Sequence, residues 1–168
     1  HKSDECNVLV STPHSTGHVR YFNMLQETEE LRFDHPSEHV QGMLILEALR
    51  QAGIASAHLQ GLPIEGKLAL MVYNSTFTSF IEKDYPVVIR TYCSYTPYEE
   101  YRKEREACIF LQVMQWGRVC AETTLKAFAC MNNQDCKQKE ERLSKIVLNY
   151  KTKFESQVNR ILERETLR

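Results

Sequence analysis

The pattern of hydrophobic and polar positions first marks a helix near the middle of the chain. Residues 43–60 are rich in Ala and Leu, are apolar on most sides of a helical projection, and are followed by Gly61 and Pro63. Good helix formers with a Gly/Pro stop predict a helix of about 16–18 residues. A helix that is apolar on most sides is typical of a buried position, so we expect it at the centre of the fold.

Strand-like runs surround this predicted helix. Residues 6–11 are typical of a short strand or entry segment, and residues 19–25 of a weak strand. Four runs rich in Val, Ile, Thr, Tyr and Phe follow the helix: 68–82, 87–95, 107–116 and 119–131. Gly117 joins the last two runs and predicts an antiparallel hairpin. A buried helix followed by a meander of long strands predicts an α+β domain whose antiparallel sheet curls around the helix.

The last part of the chain has a different pattern. Residues 134–168 place Lys, Arg, Glu and Gln around an apolar stripe, which predicts an amphipathic helix. The stripe consists of Leu143, Ile146, Val147, Tyr150, Phe154, Val158, Ile161 and Leu162. We expect residues 1–133 to form one domain and this helix to pack on that domain or on a dimer mate.

Composition narrows the class of protein. The chain has 168 residues, 42% of them hydrophobic, which suits one globular domain with its own core. A net charge of -1 gives no indication of a nucleic-acid or membrane surface. No run approaches the roughly 20 apolar residues of a membrane helix. The polar start lacks the apolar run of a signal peptide, so we expect a cytoplasmic protein.

Cysteine usage agrees with that expectation. The six cysteines are Cys6, Cys93, Cys108, Cys120, Cys130 and Cys136. None forms a C-x-x-C pair and several lie in apolar runs, as expected of small buried hydrophobes in a reducing compartment. A disulfide between Cys130 and Cys136 is the alternative. Since the histidines are not spaced as ligand pairs with these cysteines, no metal site is expected.

The predicted central helix carries a few polar residues among its apolar ones. Glu47 and Arg50 stand three positions apart and share a face, and Gln51 lies one turn beyond Glu47. Buried charges are costly unless they are paired or used in chemistry. The pattern therefore leaves two interpretations open: an ion pair with a structural role, or a catalytic site.

The start of that helix adds a second element. A helix N-terminus offers unpaired N–H groups and a partial positive charge, and Gly42 lets a ligand approach the backbone closely. Such an end can bind a polarised thioester carbonyl and stabilise the oxyanion that develops on attack. Glu47, little more than a turn away, is a candidate general base. His35 and His39 flank the same end, as ligand contacts or as loop residues.

A family resemblance joins these features. Residues 33–52, FDHPSEHVQGMLILEALRQA, resemble the signature of the A-factor biosynthesis (AfsA-like) hotdog family, roughly FDHPxDHVPGMxLLEAxRQA. Residues 7–11 resemble its upstream VLLS segment, and residues 77–82 with Pro86 and Val87 resemble its FxxFVELDxPV strand. The resemblance covers residues 7–130 and leaves the C-terminal helix unaccounted for.

The resemblance implies a hotdog fold and substrates linked to acyl carrier protein or to coenzyme A. In the best-known members the reaction moves a β-ketoacyl group from the carrier protein to a hydroxyl of dihydroxyacetone phosphate, on the way to γ-butyrolactone signals. The family's Glu and Arg correspond to Glu47 and Arg50 as catalytic residues. The substrate-binding residues expected beside them are His35, His39, Gly42, Met43 and Gln51. No cofactor is implied.

The sequence departs from the family pattern at two points. Gln41 stands where the family has proline, and the chain carries one hotdog repeat where family members usually carry two. Because hotdog sites lie between two domains, a single repeat predicts a homodimer. Its C-terminal helix is net positive, with nine Lys/Arg and five Asp/Glu from Lys137 to Arg168, so docking of an acidic carrier protein is an alternative to packing.

Two other functions remain open. Another hotdog activity, a thioesterase or a dehydratase, is the first. The dehydratase pattern is the weaker of these, because its histidine position falls on Phe33. The second is a non-catalytic acyl-binding or scaffold subunit.

Overall fold

A computed structural model gives the structure of the chain and describes residues 2, 4–28, 31, 37–95, 106–130 and 132–166. A short 3₁₀ helix, Glu5–Asn7, comes first. In chain order the other elements are β1 His14–Thr16, β2 Val19–Asn23, α1 Gly42–Leu59, β3 Lys67–Phe77, β4 Val88–Tyr95, β5 Glu106–Gln115, β6 Arg118–Cys130 and α2 Asn133–Thr166. The strands form one sheet in the order β1-β2-β4-β5-β6-β3, and every neighbouring pair is antiparallel.

The helix α1 packs one face against the sheet and supplies much of the core. Its fully buried positions include small residues such as Ala48 and Ala52, which bring the helix close to β4 and β5. At Gly53 a Cβ atom would lie 2.8 Å from Leu125 Cδ1 of β6, so a side chain here would require Leu125 to move. The buried hydroxyls of Ser56 and Thr91, 2.6 Å apart, link helix and sheet by a hydrogen bond. The predicted sheet around a long helix is confirmed.

The sheet also corrects the predicted strands. β3 pairs with β6 and not with β4, so only β4, β5 and β6 form a meander. Periodicity identifies a strand but does not say which strand lies beside it, and the observed neighbour of β3 is far away in the sequence. β3 also ends at Phe77, because the N–H groups of Thr78 and Ser79 both donate to the Cys120 carbonyl and turn the chain away. Residues 14–16 form β1, for which no strand was predicted, and the start of the segment 6–11, expected as a short strand or entry segment, lies in the 3₁₀ helix.

The predicted hairpin between β5 and β6 is confirmed, and its turn has a clear cause. Trp116 and Gly117 have φ values of 50° and 73°. Positive φ at both central residues is the type I′ geometry, whose twist matches that of paired strands.

The helix α2 continues from β6 and leaves the sheet after its first turn. Cys136 is buried there, whereas Val147, Tyr150 and Phe154 are exposed. The expected packing of this helix on a dimer mate stays a prediction. Beyond its first turn, the side chains whose accessibility is described are exposed or half-buried. No described helix is both long and apolar enough to span a bilayer.

The cysteines are all free thiols, so the alternative of a disulfide between Cys130 and Cys136 is not formed. Four of the six are buried and pack as small hydrophobes, whereas Cys6 and Cys108 are exposed.

Candidate functional site

The chain just before α1 is held by a short antiparallel pairing. The Val40 N–H donates to the Ile81 carbonyl at 2.8 Å, and the Lys83 N–H donates to the Glu38 carbonyl at 3.1 Å. Residues 39 and 82 form the bridge between these two bonds. The segment after β3 therefore positions the N-terminus of α1.

A buried glutamine fixes this pairing to the sheet. Gln115, at the end of β5, is 3% exposed. Its Oε1 accepts the Glu82 N–H at 2.9 Å, and its Nε2 donates to the Glu82 carbonyl at 3.0 Å. One amide thus satisfies both backbone groups of residue 82, as buried polar groups require.

An apolar cavity opens at this end of α1. Its volume is about 400 Å³. The ring of His39 lies 4.9 Å from that of Phe80 across one wall. The residues that line the cavity are His39, Val40, Gly42, Ile45, Phe77, Thr78, Ser79, Phe80 and Ile81.

The N-terminus of α1 meets the cavity without a side-chain cap. Gln41 is extended, with φ -63° and ψ 136°, and makes no capping hydrogen bond within the described residues. A Cβ atom at Gly42 would lie 4.0 Å from Phe77 Cζ, so the glycine leaves the backbone accessible beside the ring. N–H groups at an uncapped helix end can donate to a carbonyl oxygen and to the oxyanion that replaces it during attack.

The second part of the site is the pair of Glu47 and Arg50. The Arg50 guanidinium donates two hydrogen bonds to the Glu47 carboxylate, from Nε to Oε2 and from Nη2 to Oε1, both of 2.7 Å. Gln51 Nε2 donates a third bond to Oε1 at 3.0 Å, and Lys2 Nζ lies 3.3 Å from the same oxygen. The Glu47 side chain is 18% exposed and the Arg50 side chain 41%, so the guanidinium faces solvent more than the carboxylate does.

Gln51 also ties this pair to the N-terminal segment. Its Nε2 donates to the Asn7 carbonyl at 2.9 Å, and its Oε1 accepts the Leu9 N–H at 2.8 Å. Near this pair, the Tyr73 hydroxyl of β3 donates to the Leu46 carbonyl. The pair is therefore held between the first residues of the domain and the edge of the sheet.

These contacts set the charge state of Glu47. Burial by itself raises the pKa of the carboxyl, but hydrogen bonds from Arg50 and Gln51 and the charge of Arg50 outweigh it and hold the pKa at about 2. Burial, with the Glu47 charge added, raises the pKa of Tyr73 above its ordinary value. Glu47 is thus ionised at neutral pH but weakly basic as long as Arg50 holds it.

The structure divides the predicted site residues between two faces of α1. Glu47, Arg50 and Gln51 lie together, whereas His39 and Gly42 line the cavity. Gly42 and Glu47 are five residues apart, which separates them by about 140° around the helix axis.

The other two predicted substrate-binding residues, Met43 and His35, are not among the described residues that line the cavity. Met43 is 58% exposed and lies outside the cavity lining. His35 lies outside the described residues.

Several residues of the site were not predicted. Phe77 and Phe80 line the cavity, although their segment carried part of the family resemblance and could have signalled it. Gln115 had no such signal, because its role depends on a residue 33 positions away. The same holds for the Asn7 and Leu9 backbone groups, which Gln51 reaches across more than 40 residues.

Comparison with known proteins identifies the domain. A family model described as the A-factor biosynthesis hotdog domain matches residues 1–131, which confirms the resemblance and leaves α2 outside the match. No match was found among curated proteins.

Solved structures confirm the hotdog fold. A thioesterase from Haemophilus influenzae is 11% identical with a TM-score of 0.55, covering 76% of this chain and 83% of that chain. A mutant thioesterase from Pseudomonas aeruginosa is 7% identical with a TM-score of 0.55, covering 73% and 81%. A protein from Helicobacter felis is 10% identical with a TM-score of 0.55, covering 76% and 82%. Likeness at such low identity shows the fold alone.

Proposed function

Since the chain belongs to the A-factor biosynthesis hotdog family, we propose that it transfers a β-ketoacyl group from an acyl-carrier-protein thioester to the hydroxyl of a phosphorylated acceptor such as dihydroxyacetone phosphate. Processing of acyl thioesters is the general chemistry of this hotdog family. The bidentate bond between Arg50 and Glu47 is the observation that carries the proposed transfer.

The cavity at the start of α1 suits the acyl chain. Its walls are mainly apolar, with Ile45, Phe77 and Phe80 among them, and its volume of about 400 Å³ lies within the range of small-molecule sites. A thioester carbonyl at its mouth would meet the N–H groups beside Gly42. Those groups would stabilise the oxyanion.

Arg50 suits the acceptor. Its side chain is 41% exposed, and a planar guanidinium can bind a phosphate in the same two-pronged way as a carboxylate. A phosphate that engages Arg50 would compete with Glu47 for the same donors. The carboxylate would then lose part of its pairing, and its pKa would rise towards the ordinary value for Glu.

This competition favours transfer over hydrolysis. With Arg50 in place, the pKa of Glu47 is about 2 and the carboxylate is a poor base for activating water. A phosphorylated acceptor frees the carboxylate as it arrives, next to its own hydroxyl. That hydroxyl oxygen attacks the thioester carbon, its proton passes to Glu47, the C–S bond breaks, and the proton leaves with the thiol of the carrier.

A homodimer would bring the two faces of α1 into common sites. β3 is an edge strand: β6 pairs with one side of it, and no described residue pairs along the other. Leu70 and Met71 on this strand are exposed apolar side chains. Long apolar edges are usually covered, and pairing of β3 with a second copy would cover this one and set the cavity of one copy beside the partner.

The test is a mass-spectrometric assay with β-ketoacyl carrier protein, with and without dihydroxyacetone phosphate. We expect an acylated triose phosphate and free carrier thiol, and little free acid when the acceptor is absent. Arg50→Lys keeps the positive charge but loses the two-pronged guanidinium. It should therefore lower the rate of transfer when the acceptor concentration is limiting. Free acid at the same rate with and without acceptor would instead identify a thioesterase. Intact thioester under both conditions would identify an acyl-binding or scaffold subunit.

A further inference from the structure

The helix α2 presents an apolar surface that the domain leaves uncovered. Ile146, Val147, Tyr150 and Phe154 follow the helical repeat along one face, and we call them the α2 stripe. Tyr150 is 69% exposed and Phe154 66%. Contiguous exposed apolar side chains of this size are typical of a binding surface.

The two borders of the α2 stripe carry different charges. On one border the helical repeat places Arg142, Lys153 and Arg160, and within the described residues none of the three has an ion-pair partner. On the other border Lys151 is paired with Glu155 at 3.8 Å, which neutralises it. The surface is therefore an apolar stripe with one basic border.

We propose that the α2 stripe and its basic border bind an acidic amphipathic helix of the carrier protein that delivers the acyl group. Such a helix would cover Tyr150 and Phe154 with apolar side chains and pair its acidic residues with Lys153 and Arg160. The choice of this partner rests on the proposed function, which needs an acyl donor.

The different charges on the two borders favour this partner over a bilayer and over a second copy lying antiparallel on α2. A bilayer is the same on both sides of a helix lying on it, so it favours cations on both borders of an apolar face. The second border of α2 is neutral. A second copy lying antiparallel on α2 would bring the basic border against itself, and like charges would repel.

The topology connects this surface with the cavity. Lys67, at the start of β3, is paired with Cys130, and α2 begins three residues later at Asn133. In an antiparallel pairing of β3 with a second copy, the start of one β3 lies beside the end of the other. The α2 helix of one copy would therefore begin near Phe77 and the cavity of its partner.

Direct binding tests this proposal separately from turnover. The probes are a purified bacterial acyl carrier protein bearing a β-ketoacyl group, the same acyl group on coenzyme A, and phosphatidylglycerol vesicles. The variant is Lys153→Glu with Arg160→Glu in the full chain. Its matched control, Lys137→Glu with Lys145→Glu, changes the same charge on positions outside the stripe and its basic border.

We expect the border variant to raise the Kd for the carrier protein about tenfold and the control to change it less than about twofold. The border effect should shrink at high salt. The KM for the coenzyme A donor should not change. Equal effects of the two variants would overturn the proposal, as would tighter binding to vesicles than to the carrier, or conversion of a dimer to a monomer by Tyr150→Glu.

The outcomes also separate the two proposals. Carrier binding that weakens in the border variant, without turnover of either donor, would support docking and contradict the transferase. Turnover of both donors with equal kcat/KM, and no carrier binding, would contradict docking and leave the transferase intact.

Discussion

The two faces of α1 that carry the candidate site are built in opposite ways. The face with Gly42 and Ile45 is apolar and is set by backbone pairing that Gln115 holds in place. The face with Glu47 and Arg50 is polar and is set by side-chain hydrogen bonds. One helix thus presents an apolar surface on one side and a paired charge on the other, because what packs against each face decides its environment.

The largest effect on activity should come from removing the negative charge of the polar face. Glu47→Gln keeps the size of the side chain but removes the charge that holds Arg50. We expect transfer to fall at least about 100-fold in kcat/KM, as for loss of a general base. Glu38→Gln is the control, an exposed carboxylate beyond the start of α1. Steady-state kinetics with carrier-linked donor would measure both, and equal activity of Glu47→Gln and the parent protein would contradict the catalytic role.

The next largest effect should come from removing the hydrogen bonds that hold the backbone beside the apolar face. Gln115→Leu leaves the Glu82 N–H and carbonyl without their partners, so we expect a loss of about 1–3 kcal/mol in the free energy of unfolding. Faster amide hydrogen exchange at Val40 and Lys83 should accompany it. Gln134→Leu, on an exposed position of α2, should change the free energy of unfolding by less than about 0.5 kcal/mol. Urea unfolding compares the two, and equal losses would show that Gln115 has no special role.

A smaller effect should come from a substitution in the apolar face that lowers activity but leaves the stability of the fold nearly unchanged. Gly42→Val adds a side chain next to Phe77, where there is room for it but where the acyl group would enter. We expect kcat/KM to fall about tenfold, with unfolding changed by less than about 1 kcal/mol. Parallel kinetics and thermal unfolding would show it. Unchanged kinetics with longer acyl chains would place the acyl group elsewhere.

The smallest effect is the pH dependence of the polar face. The pKa of Glu47 in the folded protein is about 2, below its ordinary value of 4.5. The ionised pair therefore stabilises the fold at pH 4.5 and above, and this contribution is lost as the pH falls towards 2. Thermal unfolding of the parent protein and Glu47→Gln should differ above pH 4.5 and converge below it. A difference that stays constant over this range would contradict the assignment.

Much of the fold followed from local patterns. The helix from Gly42 to Leu59 was predictable because good helix formers end at a glycine, and the hairpin at Gly117 because only a few residues fit a type I′ turn. The placement of β3 beside β6 was not predictable, since one strand pattern fits any neighbour. The spacing of Gly42 and Glu47 separates them around the helix, but the cavity beside Gly42 was hidden because its walls come from segments that pack around α1.

By itself, the sequence determined the helix, most of the strands, the family and the identity of the polar pair, because each depends on residues close together in the chain. The tertiary structure alone decided that Gln51 is tied to the N-terminal segment and that Phe77 and Phe80 form the cavity wall. It also decided that Gln115 supports the start of α1. These properties arise from contacts between distant segments, and the free energy of such contacts is set by burial and geometry that exist only in the folded chain.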